Sequence, residues 1–186
     1  WYDPAEDLKR APTPANDARE TPRAAAKAGQ RTVVIDCDLR HASVHAALGG
    51  ENRQGVVEVL SGNAKLEDVV QVDTRSGCHF IAAGQRAPNP TDLLSSEAMR
   101  RMLKRLQEAY DLVVIDTPPV LAVSDALVLL RAVDKTVFLI RWGKTRREAA
   151  QAVMRLVLEA NADVGVVVLT QVETRKLALY HYADTT

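Results

Sequence analysis

Five short apolar runs set the limits on what this chain can fold into. They are RTVVIDC (31–37), CHFIAA (78–83), DLVVID (111–116), TVFLIRW (136–142) and VGVVVLT (164–170). Most are continuous and β-branched rather than alternating, the pattern of strands covered on both faces in a parallel sheet. Helical spacing fills the gaps. Met99, Met102, Leu103, Leu106 and Tyr110 recur at helical intervals across 96–110, and Val153, Leu156, Val157 and Ala160 across 146–160. Thr145-x-x-Glu148 reads as a capping box for the second of these helices, and Ser124 as the N-cap of a helix over 125–132. Strands alternating with helices predict right-handed crossovers and an α/β fold with a mostly parallel sheet, flanked by helices on both faces. Ligands in such sheets bind beyond the carboxyl ends of the strands. The residues that finish each run are therefore the candidates for chemistry.

Residues 1–22 carry four of the eight prolines and no hydrophobic period, so they read as an irregular arm or linker ahead of a domain over 23–186. The 24 basic and 24 acidic side chains cancel and aromatics make up 4% of the chain, which argues against nucleic acid as a partner. Cys37 and Cys78 lie far apart without metal-ligand spacing and read as small apolar residues on buried strands. No signal peptide or run of 18 apolar residues marks a membrane crossing within the chain.

Two strand ends carry the chemistry. The first run closes in VVIDCDLR, where Asp36 and Asp38 are expected on one side of an extended chain, about 6–7 Å apart along it. Two carboxylates at a buried strand end repel and are poorly solvated unless a cation compensates them, and Arg40 offers part of that charge. The second is LVVIDTPP, a hydrophobic run closing in Asp116, the pattern in which a carboxylate holds the water shell of Mg²⁺. Thr117-Pro118-Pro119 then forces a turn, because neither proline can continue the ladder.

VVIDCDLR with HASVH resembles the second Walker motif of bacterial tyrosine kinases, and LVVIDTPP resembles their Walker B. The likeness continues through GVVEVLSG (55–62), AAGQRAPNPTDLLSS (82–96) and VSDALVLLRAVDKTVFLIRWGKTRRE (123–148), covering roughly residues 24–182 in unbroken order. The resemblance implies a P-loop NTPase, Rossmann-like fold of the MinD and ParA group. It also implies ATP-dependent autophosphorylation on tyrosine with ATP/ADP and Mg²⁺ as cofactors, regulating capsular and extracellular polysaccharide synthesis and export. Implied partners are further copies of the chain in a ring, a membrane-spanning activator and the polysaccharide export machinery. The implied place is the cytoplasmic side of the bacterial inner membrane.

Residue by residue, the resemblance makes Asp36 a base for the attacking tyrosine or a ligand to magnesium-bound water. Asp38 orders the metal or the incoming hydroxyl, Arg40 joins the same catalytic set, and Asp116 holds magnesium through water. Thr170 stands where relatives often carry an asparagine that reads adenine, and it keeps only a hydroxyl for that purpose. Tyr180 and Tyr182, in the C-terminal LALYHYADTT, are the implied phosphorylation sites.

The family pattern is broken at one place. The G-x-x-x-x-G-K-[ST] loop and the strand before it, which the family has just ahead of the helix ending RAAAKAGQ (23–30), are not in the sequence. A break in the chain between Pro22 and Arg23 is therefore expected. Two alternatives to the kinase stay open: a MinD/ParA-like ATPase switch, and a non-catalytic scaffold that kept the fold and lost the loop. Arg100, Arg101, Lys104 and Arg105 form a basic helix face, read as solvated. Glu20-x-x-Arg23 matches only part of the family's ring-forming E-x-x-R-x-x-R helix, since Ala26 replaces the second arginine.

Overall fold

A computed structural model describes residues 15–120 and 125–172. All five expected strands form. They fall into two compact units, divided after Ala132.

In the first unit, β1 (Thr32–Asp36) lies between β3 (His79–Ile81) and β4 (Leu112–Asp116), parallel to both, while the short β2 (Val70–Val72) pairs antiparallel with β3. The sheet order is β2-β3-β1-β4. Alternation along β1 sorts its side chains between two cores. Val33 and Ile35 join Ile81, Met99, Met102, Leu103 and Leu106, while Val34 joins Val44, Leu48, Cys78 and Phe80. The first core is built on the apolar stripe of the helix Glu97–Ala109, capped by Ser96, whose hydroxyl accepts the Met99 amide. Its basic residues stay outside. Arg100 pairs with Glu97 and Arg105 with Glu67 at the surface.

The N-terminal helix α1 (Ala15–Lys27) begins inside the expected irregular arm and runs unbroken through Pro22 and Arg23. The expected break at that junction is therefore absent, and of the arm only residues 1–14 lie outside the described residues. Ala15, Ala18, Arg19 and Glu20 supply good helix formers once the closely spaced Pro12 and Pro14 are passed. Arg23 serves the fold. It donates through Nε to the buried Asp73 at 2.8 Å and through Nη2 to the Ala47 carbonyl at 2.9 Å, besides pairing with Glu20. Burial pushes the Asp73 carboxyl up, but the bonds from Arg23 and Ser76 outweigh that and hold it below the ordinary range.

The second unit holds β5 (Thr136–Arg141) and β6 (Val164–Thr170), parallel to each other, and the helix Arg147–Glu159. The expected capping box does not form. The helix starts at Arg147 with Arg146 as its N-cap, because the Thr145 amide is already spent on the Arg141 carbonyl in the preceding turn. Val166, Val167, Val168 and Leu169 of β6 are exposed, unlike the β-branched run of β1, since two strands and one helix are too few to cover both faces. Ser124, Tyr180 and Tyr182 lie outside the described residues. Among the described residues no helix is long and apolar enough to cross a membrane.

Candidate functional site

The site begins with a register. β1 and β4 carry the same run, VVID, and pair in parallel so that Asp36 stands opposite Asp116. The ladder extends one bond further, the Cys37 amide donating to the Asp116 carbonyl at 2.8 Å. Thr117-Pro118-Pro119 then ends β4, as the missing proline donors require. Two carboxylates thus meet at the carboxyl edge of a parallel sheet. Between them Cys37 is wholly buried, and burial pushes its thiol well up, with the charges of Asp36 and Asp116 adding to the effect. It stays a protonated thiol at neutral pH, the small apolar residue the sequence implied.

Asp36 is itself fully buried. Its Oδ2 accepts the amides of Ser43 and Val44, both at 2.9 Å, and its Oδ1 accepts the Asp38 amide at 3.2 Å. The helix α2 (Val44–Leu48) has no side-chain cap from Ser43, so the Asp36 carboxylate performs that service from the end of β1. Burial raises the Asp36 carboxyl above its ordinary range; the three amides pull the other way without cancelling it, and the Asp38 charge adds. A carboxylate offers about four lone-pair sites. Three are taken, which leaves one on Oδ1 for a proton or a metal-bound water.

Asp38 does not continue the strand. β1 ends at Asp36, and the bond from the Asp38 amide back to Asp36 turns the chain, so the extended spacing expected of the pair does not apply. Asp38 Oδ1 accepts the amides of Arg40 at 3.3 Å and His41 at 2.9 Å. Its Oδ2 has no protein donor among the described residues, which makes it the more open of the two acids.

Arg40 turns away from both. Its Nε donates to Asp125 Oδ2 at 2.9 Å and its Nη2 to Oδ1 at 3.5 Å, and Asp125 also accepts the Thr91 hydroxyl. Burial pushes the Asp125 carboxyl up, but Arg40 and Thr91 more than offset it and hold it below the usual range. Asp125 opens the helix α3 (Asp125–Leu129), and Thr91 belongs to the helix Pro90–Leu94 that the Pro88-Asn89-Pro90 segment starts. One buried acid therefore ties the loops after β1 and β3 to a third segment. Sequence reasoning gave Asp125 and Thr91 no role. Their only signal was an acid and a hydroxyl in the first turns of short helices, which is common.

Among the described residues, no three acidic, histidine or cysteine side chains converge to cage a metal ion. Asp36 and Asp116 come together in register and Asp38 lies just beyond. That set suits a cation held by one or two carboxylates and completed by water and phosphate oxygens, the habit of Mg²⁺. Thr170 ends β6 in the second unit, buried, with a hydroxyl that finds no partner among the described residues.

A parallel sheet with acids closing two neighbouring strands is the architecture of P-loop nucleoside triphosphatases, and the solved structures agree. The kinase domain of VpsO matches with a TM-score of 0.81 at 32% identity, over 86% of this chain and 78% of that one. The septum-site protein MinD of Pyrococcus horikoshii, solved with Mg-ADP, matches with a TM-score of 0.66 at 18% identity, over 82% of this chain and 62% of that one, a likeness of fold alone. The chain belongs to the AAA domain family, whose model matches residues 21–164. Among curated relatives, the tyrosine-protein kinase Etk of Escherichia coli K12 is 36% identical over 158 residues, 84% of this chain and 22% of Etk. The chain thus spans less than a quarter of that relative's length.

Proposed function

We propose that this chain is the catalytic part of an ATP-dependent protein-tyrosine autokinase acting in capsular and extracellular polysaccharide synthesis and export. The observation that carries the reading is the in-register pair Asp36 and Asp116 at the carboxyl ends of β1 and β4, with Asp38 beside it. It occurs in a chain whose relatives are tyrosine-protein kinases. Phosphoryl transfer asks a protein mainly for positioning and charge compensation. Asp116 would hold magnesium through water, and Asp38, with its open Oδ2, would order the metal or the tyrosine hydroxyl. Asp36, its carboxyl raised by burial, would accept the hydroxyl proton through the one free site on Oδ1. Magnesium, when bound, supplies charge neutralisation on the phosphates. Arg40 acts through Asp125 to fix the loop that carries Asp38. Thr170 would meet the base, and Tyr180 and Tyr182 would receive the phosphate. In this reading the protein works as an oligomer beside a membrane-spanning activator on the cytoplasmic face of the inner membrane.

None of the 186 residues forms the G-x-x-x-x-G-K-[ST] loop, so the chain by itself is expected to bind ATP poorly. The test is to incubate the intact protein with ATP and Mg²⁺ and probe for phosphotyrosine. Signal that disappears in Asp38→Asn and in the double variant Tyr180→Phe/Tyr182→Phe supports the kinase. ATP hydrolysis without phosphotyrosine would instead mark a nucleotide switch, and no nucleotide binding a scaffold.

A further inference from the structure

The amino ends of β1 and β3 border a concavity of about 360 Å³, at the edge of the sheet opposite the acids. Thr32 in its lining opens β1 and Asp36 closes that strand, so the concavity and the carboxylates stand about 13 Å apart along it. The volume is that of a small-ligand site.

Part of the lining is aromatic. The rings of His79 and Tyr110 meet edge to face, with centroids 5.5 Å apart and planes at 73°, and His79 Nδ1 lies 2.8 Å from the Tyr110 hydroxyl. Burial, with Cys78 adding, pushes the Tyr110 phenol up, so it keeps its proton. The hydroxyl has no other acceptor among the described residues. It therefore donates to Nδ1 of the neutral imidazole, and the ring's own hydrogen sits on Nε2, which has no partner among the described residues.

The rest of the lining supplies space and a second donor. Gly29, Gly77 and Ala109 are small, and a Cβ added at either glycine would meet nothing within 4 Å. Arg31 gives Nε and Nη2 to the Asp111 carboxylate, at 3.2 and 2.6 Å. That pairing fixes the guanidinium and leaves Nη1 without an acceptor among the described residues. No acid is in the lining.

Two open donors beside a pair of rings select for a ring that carries an acceptor. A cation would meet Arg31 and no acid, and a small inorganic anion would leave both rings uncovered. An added ring can stack offset or edge to face on Tyr110 and His79, and a carboxylate offers two oxygens to two separate N–H groups. We propose that this concavity binds a small aromatic carboxylate, its ring against Tyr110 and His79 and its oxygens on Arg31 Nη1 and His79 Nε2. The site is separate from the acids of β1 and β4, and it stands whether or not they serve a kinase.

The test titrates the intact protein calorimetrically with 2-naphthoate, with its uncharged isostere 2-naphthamide and with the saturated decahydro-2-naphthoate. The aromatic carboxylate is expected to bind about tenfold or more tightly than either control. Arg31→Ala should bring naphthoate and naphthamide to within about twofold of each other. Ala109→Leu adds bulk at an exposed position that ends its helix, and it should weaken naphthoate by about tenfold without moving the urea midpoint. If the midpoint does fall, Arg31→Ala, on an exposed ion pair, decides alone. No saturable binding of naphthoate overturns the proposal, as do equal affinities for naphthoate and either control. An Arg31→Ala protein that still discriminates tenfold overturns it too. Displacement of naphthoate by excess ADP with Mg²⁺ would place the ligand at the carboxylates instead and also sink the inference.

Discussion

Replacing Asp36 by asparagine probes the first acid of the site through its protonation. Asn keeps one oxygen for the Ser43 and Val44 amides but turns an NH₂ toward the Asp38 amide, which now meets a donor. A buried donor left unpaired costs about 1–3 kcal/mol. Against this stands the burial of a carboxylate, which raises the Asp36 carboxyl in spite of three amide donors. A folded-state value above the unfolded one of about 3.9 means the stability it contributes is complete below that pH. It is lost as pH rises through the folded value. Each unit of elevation removes about 1.4 kcal/mol from the wild type. Asn does not titrate. The Asp36→Asn variant is therefore expected to be less stable than wild type by about 1–3 kcal/mol at pH 4, with the gap narrowing as pH rises through the folded value and constant beyond it. Urea midpoints of the two proteins across that range, at a common m-value, measure it, and all other titrating groups cancel in the difference. A gap that stays constant or widens with pH would show that Asp36 prefers to be ionised in the fold, and the electrostatic reasoning would be wrong.

Gly84→Ala should destabilise by about 2–4 kcal/mol in urea melts. Gly84 has φ +89°, and an added Cβ would lie 2.0 Å from Glu58 Oε2, forcing strain and the loss of bonds that Glu58 accepts from Gly55 and Gln85. Asp125→Ala should lower the urea midpoint at neutral pH, and the deficit should shrink as pH falls below about 4. A carboxyl held below its ordinary range contributes stability above its unfolded value and loses it as pH drops through the folded one.

The sheet was legible because its strands are continuous β-branched runs with acids at their ends, and the β1–β4 register follows from two matching VVID runs. β2 was not legible. Three residues on an edge carry too little pattern, and the strand exists because it pairs with β3. The carboxylates were legible as residue types but not as conformations. Nothing in VVIDCDLR says that the chain turns after Asp36 because an amide two residues on reaches back to its side chain. Arg40 shows the same limit. Proximity in sequence suggested Asp36 and Asp38 as its partners, whereas the buried acid that claims it is Asp125, distant in sequence. The clamp of Asn52 and Glu58 on the 84–85 backbone likewise joins segments remote in sequence, and only the fold reveals it.

The central claim is that the acids at the ends of β1 and β4 hold a magnesium–nucleotide complex, and magnesium linkage tests it most directly. ADP is titrated calorimetrically into the intact protein and its Asp116→Asn variant, each with and without Mg²⁺. Magnesium is expected to tighten ADP binding by about tenfold or more in the wild type, and to leave the variant's affinity near its metal-free value. An Asp116→Asn protein that keeps the full magnesium gain would contradict the account.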